Sequence, residues 1–511
     1  MSTKRIYKLC MEPVNLLPGL RFRSFLCGNL WIVVLGLLSP LSVKAAPTPS
    51  SCQISNETIA QLSTFRQVAI QGEDDAIAQS EYRDQQRQLA DQLRTCRSQN
   101  WPQTQAIWLR LYPCDVRPGK LDEIFDRILS KGYNQVYLEV FSDGQVLLPS
   151  QDNPTAWSSV LWQPGYEQRD LLAEAIAKGR ARGIQVYSWM FTLNFGYTYS
   201  LRPDADQSLA RNGRGQTSLS LGSPDVTTTG AIASNETFVD PYSPQAQRDY
   251  STLVQAILKR QRDGVLFDYV RYPRGTGSAT IASKVQDLWI YGSASQEAIS
   301  QRAQNDRGRE VIRRYLAQGF ISATDMTAIA AQYPQDKEPL WQGQPPSATP
   351  PTNEQLQNQL WHLNIAHAFQ GVLDFLAMAT LPVQQRGISA GAVFFPNGNQ
   401  TIGAQSYDAR LQPWDQFPNT VEWHPMAYST CGDMSCIVAE IQRVMAKAPP
   451  GTQVIPALAG TWGAWFNEHP PLEWQMLTLQ RMSPPTSAVS HFAFSWQDEA
   501  YERDRKTCRL Q

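Results

Sequence analysis

After Trp101 and Pro102, short apolar runs alternate with longer stretches whose apolar positions recur every three to four residues. The short runs suit strands buried on both faces, and the longer ones suit helices packed along one side. Eight strand-like runs are predicted, at 106–112, 135–141, 185–193, 264–270, 388–395, 420–428, 454–459 and 489–496. Helical periodicity falls between most of them, for example at 121–131, 170–182, 245–262 and 437–448. Strands separated by crossover helices pair in parallel, and eight such units close into an α/β (β/α)8 TIM barrel.

Two other patterns flank or interrupt this alternation. Residues 55–97 place Ile59, Leu62, Phe65, Leu89 and Leu93 at helical spacing, with a break at Gln71, Gly72 and Glu73, which predicts a helical hairpin. The 195–240 stretch is Gly-, Ser- and Thr-rich and is expected to form a loop or small hairpin over the strand ends. The 274–382 stretch contains helical periodicity at 285–316 and 356–379 around a Pro-rich linker at 334–351, and is predicted to be an inserted helical lid. The expected layout is a signal peptide over 1–46, the hairpin over 47–100 and the barrel over 101–511.

The amino end supports that first boundary. Lys4, Arg5, Lys8, Arg21 and Arg23 precede an apolar stretch from Phe25 to Leu38, and small residues Ala45 and Ala46 follow. This is the layout of a secretory signal, too short in its apolar part for the roughly 20 residues of a spanning helix, although an uncleaved anchor stays open. No other segment is expected to span a bilayer, so the protein is expected to be exported to a periplasmic or extracellular space. A net charge of -1 gives no electrostatic footprint for nucleic acid.

Beyond the signal, six cysteines remain of eight. An even number in an exported chain points to disulfides, and the expected pairs are Cys52 with Cys96, Cys431 with Cys436 and Cys114 with Cys508. No Cys-x-x-Cys pair or adjoining His cluster accompanies them, so neither a metal site nor another cofactor is expected.

Strand alternation then selects the chemistry. In the fourth run Val265 and Phe267 share the helix-facing side, leaving Asp268 toward the barrel axis at the strand's exit, where barrel enzymes hold their active sites. In the second run Val136, Leu138 and Val140 share one face, and Glu139 falls on the other with Tyr137 and Phe141. Asp268 and Glu139 are the predicted catalytic pair, since glycosidic hydrolysis commonly uses two carboxyls. The competing readings are ion pairs, Asp268 with Arg271 and Glu139 with Arg110. The sixth run directs Glu422, His424, Met426 and Tyr428 to the axis, with Glu422 deepest. Trp189, Trp462, Trp465 and Trp496 follow strand ends and could stack on sugar rings, with Trp496 the preferred platform. Expected substrate contacts are Arg110, Trp189, Asn194, Arg271, His424, Tyr428 and Trp496.

The run from Asp263 to Pro273, reading Asp-Gly-Val-Leu-Phe-Asp-Tyr-Val-Arg-Tyr-Pro, resembles the signature strand of the glycosyl-hydrolase-like family 10 proteins. Asp240-Pro241-Tyr242-Ser243-Pro244-Gln245 is similar to that family's turn before a barrel helix, and Trp108-Leu109-Arg110 to its opening strand. The resemblance covers roughly 105–496, with 274–382 fitting less closely, and implies an exported barrel acting on cell-wall or extracellular glycan with Asp268 catalytic. Met426-Ala427-Tyr428 also resembles the sixth strand of family 18 chitinases, but the proton donor of those enzymes would fall where this chain has Val270.

The expected function is therefore an exported glycoside hydrolase on a polysaccharide, such as peptidoglycan or an extracellular glycan. The alternative is a non-catalytic carbohydrate-binding barrel that serves wall or exopolysaccharide assembly. A deacetylase or metal-dependent esterase would need a His and Asp cluster that the sequence does not offer.

Overall fold

The computed structural model describes residues 52–510 apart from 73–74, 222–235, 262, 345–348 and 429–430. The predicted signal, with Cys10 and Cys27, lies outside the described residues, as do Glu73 of the hairpin turn and part of the 195–240 loop.

Two helices open the described chain, α1 (Asn56–Gln71) and α2 (Ala76–Gln99). Ser55 and Asp75 cap them by accepting backbone amides of the first turn. The hairpin docks on α3 (Lys120–Ser130) and α4 (Leu171–Ala181) through a buried polar knot. Asp126 accepts from Arg66, Tyr82 and Arg182, at 2.7, 2.8 and 2.7 Å. A buried carboxylate with three donors is satisfied, which makes this a structural joint. A disulfide joins Cys52 to Cys96 across the base of the hairpin.

The barrel strands are β1 (Thr104–Leu109), β2 (Gln135–Ser142), β3 (Gln185–Phe191), β4 (Gly264–Asp268), β5 (Ser389–Phe394), β6 (Glu422–Ala427), β7 (Ala457–Ala459) and β8 (Ala488–Phe492). Each pairs in parallel with the next, and β8 pairs with β1, so the sheet has no open edge. Several strands stop short of the predicted runs: β4 ends at Asp268 and β8 at Phe492. Tyr269, Phe395 and Tyr428, just beyond β4 and the two strands that follow it, line the mouth, and Trp496 falls in a single helical turn, Phe494–Gln497.

Two glycines let large side chains fill the axis. A Cβ on Gly264 would lie 2.3 Å from the Tyr187 ring, and one on Gly391 would lie 2.7 Å from Nε2 of His424. Within β2 the register slips between Glu139 and Phe141, which face Trp189 and Met190 respectively. Neighbours on β3 point to opposite faces, so this bulge separates Glu139 from Phe141, which had been expected on the same face. Phe141 packs instead on Trp157, ring centres 4.6 Å apart.

The remaining helices of eight residues or more are α5 (Pro244–Leu258), α6 (Ser293–Ser300), α7 (Asp306–Gln318), α8 (Ala323–Gln332), α9 (Asn353–Gln384), α10 (Met434–Met445), α11 (Leu472–Gln480) and α12 (Glu499–Thr507). The stretch expected as a lid thus divides. Helices α6, α7 and α8 form the excursion, whereas α9 returns along the barrel wall, with Phe375 against Tyr250 of α5 at 5.3 Å, and feeds β5. Among the described residues α9 is the one helix long and apolar enough to cross a membrane, which corrects the expectation of none; half of its most apolar window is buried in the protein. No α-helix joins β5 to β6, where a turn of 3-10 helix at Trp414–Gln416 buries Trp414 against Phe394 and Trp423. The chain ends by sewing α12 back to the loop after β1, through a Cys114–Cys508 disulfide and a buried Arg505 that binds Asp115 and Glu502. A third disulfide joins Cys431 and Cys436 before α10.

Candidate functional site

At the carboxyl ends of the strands lies a narrow cleft of about 20 Å³. Trp108 from β1, Trp189 from β3 and Phe492 from β8 line it with Val393 of β5 and Met426 of β6, and with Phe395 and Tyr428 just after those two strands. Asp268, Tyr269 and Arg271 enter from β4. Asp268 is the one acidic residue among the described residues lining this cleft.

Its surroundings are built rather than incidental. Trp189 donates from Nε1 to Oδ2 of Asp268 at 3.1 Å, and the Tyr269 amide donates to Oδ1 at 2.6 Å. Tyr269 adopts a left-handed conformation, φ 54°, which a bulky residue holds only when neighbours enforce it. Its ring packs on Phe191 at 4.2 Å and beneath the Arg271 guanidinium at 4.6 Å. Trp108 crosses Trp189 edge-to-face at 4.8 Å and anchors its own N–H on Ser490. Burial pushes the Asp268 carboxyl up to about 6, against the opposing pull of the two N–H donors and Arg271, and the nearby Glu139 charge adds to the rise.

Glu139 stands apart from the cleft lining. Arg110 grips both its oxygens, Nε to Oε2 at 2.6 Å and Nη2 to Oε1 at 2.9 Å. The carboxylate holds the guanidinium above its ordinary range, and Arg505 fixes the Arg110 carbonyl from below at 2.8 Å. With its side chain 3% exposed and Arg110 at 38%, the pair presents its cationic end to solvent. The expectation that Glu139 lies beside Asp268 as an open second carboxyl is corrected in this respect: the ion-pair alternative describes its contacts.

Asp143, which strand alternation did not reach, follows β2 in a left-handed turn, φ 48°. Desolvation and Glu139 raise its carboxyl, while Arg110 and Lys506 oppose the rise. The turn signal Asp143-Gly144 after the second run could have flagged it.

Other predicted contacts divide sharply. Arg271 and Tyr428 line the cleft, as does Trp189, which acts as a wall and donor rather than a platform. Asn194 is corrected to a loop brace: its Oδ1 accepts the amides of Gly196 and Thr237, and it is 2% exposed. His424 is fully buried in the barrel below, 3.2 Å from Glu422 and edge-on to Tyr137, so it is corrected to a core residue. Glu422 also accepts from Tyr187, the structural role expected of the deepest acid. Trp496 is half-buried behind Phe492, and Trp462 sits against His491 on the outer side of β8. The aromatic wall residues Trp108 and Phe492 were missed because apolar rings inside a barrel carry no signal that separates wall from core.

A second buried cluster tests the specificity of the first. Asp240, in the turn before α5, is also pushed up to about 6 by burial. Its oxygens accept the amides of Tyr242 and Ser295, each at 3.0 Å. Nearby, Ser295 and Nε2 of His367 lie 2.9 Å apart, which resembles an activated nucleophile. However, Arg302 donates to Nδ1 of His367 at 3.1 Å, so the ring proton must reside on Nε2 and point at the serine oxygen. Such a histidine cannot accept the serine proton, and the cluster is a joint between the excursion and the barrel. Among the described residues no group of three or more His, Cys, Asp or Glu side chains could hold a metal ion.

Residues 95–321 match the family model Glycosyl hydrolase-like 10. This is the family that the β4 run resembles, and the matched segment includes β1 to β4 with Glu139 and Asp268. The family match and the closed barrel together make this a glycoside-hydrolase-like fold. No curated protein sequence matches the chain. Among solved structures, a β-galactosidase from the psychrophilic Marinomonas ef1 aligns at 11% identity and TM-score 0.43, covering 76% of this chain and 54% of that one. The tandem GH20 catalytic modules of the pneumococcal exo-β-D-N-acetylglucosaminidase StrH align at 11% identity and TM-score 0.38, covering 80% and 79%. A GH20 exo-β-N-acetylglucosaminidase from Vibrio harveyi aligns at 8% identity and TM-score 0.35, covering 77% and 51%. The chain thus spans about half the length of the first and third of these.

Proposed function

We propose that this protein belongs to the Glycosyl hydrolase-like 10 family and is an exported glycoside hydrolase acting on cell-wall or extracellular polysaccharide, with Asp268 as its proton donor. The observation that supports this most directly is a carboxyl pushed up to about 6 at the exit of a barrel strand, open to an aromatic cleft. A carboxyl with that affinity keeps its proton in mildly acidic solution, up to about pH 6, and can deliver it to a departing glycosidic oxygen. Glu139, paired with Arg110, raises the proton affinity of Asp268. The disulfides fit an oxidising compartment.

The second reading is a non-catalytic carbohydrate-binding barrel, favoured by the single acid in the cleft lining. Digestion of purified peptidoglycan and a panel of polysaccharides by the wild type and Asp268→Asn, with products identified by mass spectrometry, separates the two. Product from the wild type alone is expected. Equal product from both removes Asp268 from the mechanism, and no product from any substrate, with glycan still bound, leaves the binding barrel.

A further inference from the structure

The loop after β7 carries aromatic rings outward from the cleft. Phe492, on the cleft wall, meets Trp496 at 5.4 Å, and Trp496 meets Phe466 at 4.7 Å and His469 at 5.7 Å. Next to Phe466 in sequence is Trp465, which crosses Trp474 of α11 edge-to-face at 6.1 Å. These two indoles are 53% and 52% exposed, although the rest of the row is packed.

The loop is held in shape. Phe466 and His469 exchange backbone hydrogen bonds at 3.1 and 2.8 Å across Asn467 and Glu468, both left-handed. The Gly463 amide donates to both Glu473 oxygens at 3.0 Å. A braced turn that leaves two large rings half in water presents them at little ordering cost to a ligand. Residues 460–474 include Glu468 and Glu473 and no Lys or Arg, which disfavours anionic membrane and polyuronate alike. Flat apolar rings with polar edges and no cationic partner suit the C–H faces of uncharged sugar units.

We propose that Trp465 and Trp474 form an outer subsite that holds an uncharged stretch of a polysaccharide chain running out of the cleft past Trp496. This rests on the cleft being a glycan site, but not on its catalysing cleavage. The test is therefore made on the Asp268→Asn full chain, by affinity electrophoresis in gels containing glycol chitin, hydroxyethylcellulose, a soluble β-glucan or polygalacturonate. Retardation is expected from at least one uncharged polymer and not from polygalacturonate. The double substitution Trp465→Ala with Trp474→Ala should weaken it about tenfold, or roughly 1.4 kcal/mol, and Trp465→Phe with Trp474→Phe should retain most of it, with thermal melting unchanged in both. Unaltered retardation in the double alanine variant, retardation by polygalacturonate alone, or none by any polymer overturns the proposal. Failure of hydrolysis alone, with this retardation pattern intact, overturns only the catalytic reading.

Discussion

Asp268 and Asp240 are both buried carboxyls pushed up to about 6, yet their surroundings differ in kind. Around Asp240 every group is spoken for: its two oxygens take two backbone amides, Gly292 presses so close that a Cβ there would lie 2.3 Å from Oδ2, and the residue is wholly enclosed. Asp268 has equally good donors, but it is 8% exposed and lines a cleft with room for a ligand atom. Burial alone raises a carboxyl, so a shifted titration does not by itself mark a site. Access from solvent to the shifted group distinguishes the two.

The largest expected contrast is in activity. Asp268→Asn should lower kcat/KM on a cleaved glycan by about 10²- to 10⁴-fold, the usual range for a general acid, whereas Asp240→Asn should leave it within about threefold once folded protein is compared with folded protein. Equal losses in steady-state kinetics would erase the distinction. In the wild type kcat/KM should decline as pH rises through about 6, because the donor loses its proton there.

Next in size is the ion pair beneath the cleft. Arg110→Met leaves Glu139 buried without its partner and should destabilise the fold by about 3 kcal/mol, the low end for a broken buried pair because Arg110 is partly exposed. Urea unfolding reads the stability, and the pH profile should move upward at the same time, since an unscreened Glu139 raises Asp268 further. A stability loss with an unmoved profile would detach Glu139 from the chemistry.

A pH titration of stability comes third. Both aspartates bind their proton more tightly folded, about 6 against 3.8, so each lowers stability as pH rises from about 4 to about 6, with no penalty below and the full penalty above. The slope should amount to roughly 3 kcal/mol per group, and Asp268→Asn should remove its own share while leaving that of Asp240. The smallest effect is at the joint: Ser295→Ala deletes one hydrogen bond to His367, should cost about 1 kcal/mol, and should not change activity. A large activity loss there would mean the serine does chemistry.

The barrel was legible because its strands are buried on both faces and read as apolar runs between helical periods, down to Asp268 facing inward at the exit of β4. The three expected cysteine pairs are the ones the fold joins, although six cysteines admit fifteen pairings and only the fold brings Cys114 to Cys508 across most of the chain. Asn194 and His424 misled, since a polar residue at or near a strand end looks the same in sequence whether it braces a loop or meets a ligand. Only packing reveals that two amides already occupy Asn194 and that His424 lies under Tyr137.

What the amino-acid order determined by itself is the set of local decisions: which residues alternate inward along a strand, where helices begin at Ser55, Asp75 and Ser243, and which acid sits at a strand's mouth. Tertiary structure alone decided the rest. The bulge in β2 depends on pairing with β3, the grip of Arg110 on Glu139 depends on two neighbouring strands, and the cleft lining is assembled from six strands spread along the chain. Periodicity is a property of one segment, whereas a pocket is a property of several at once, and burial and proton affinity follow from the pocket.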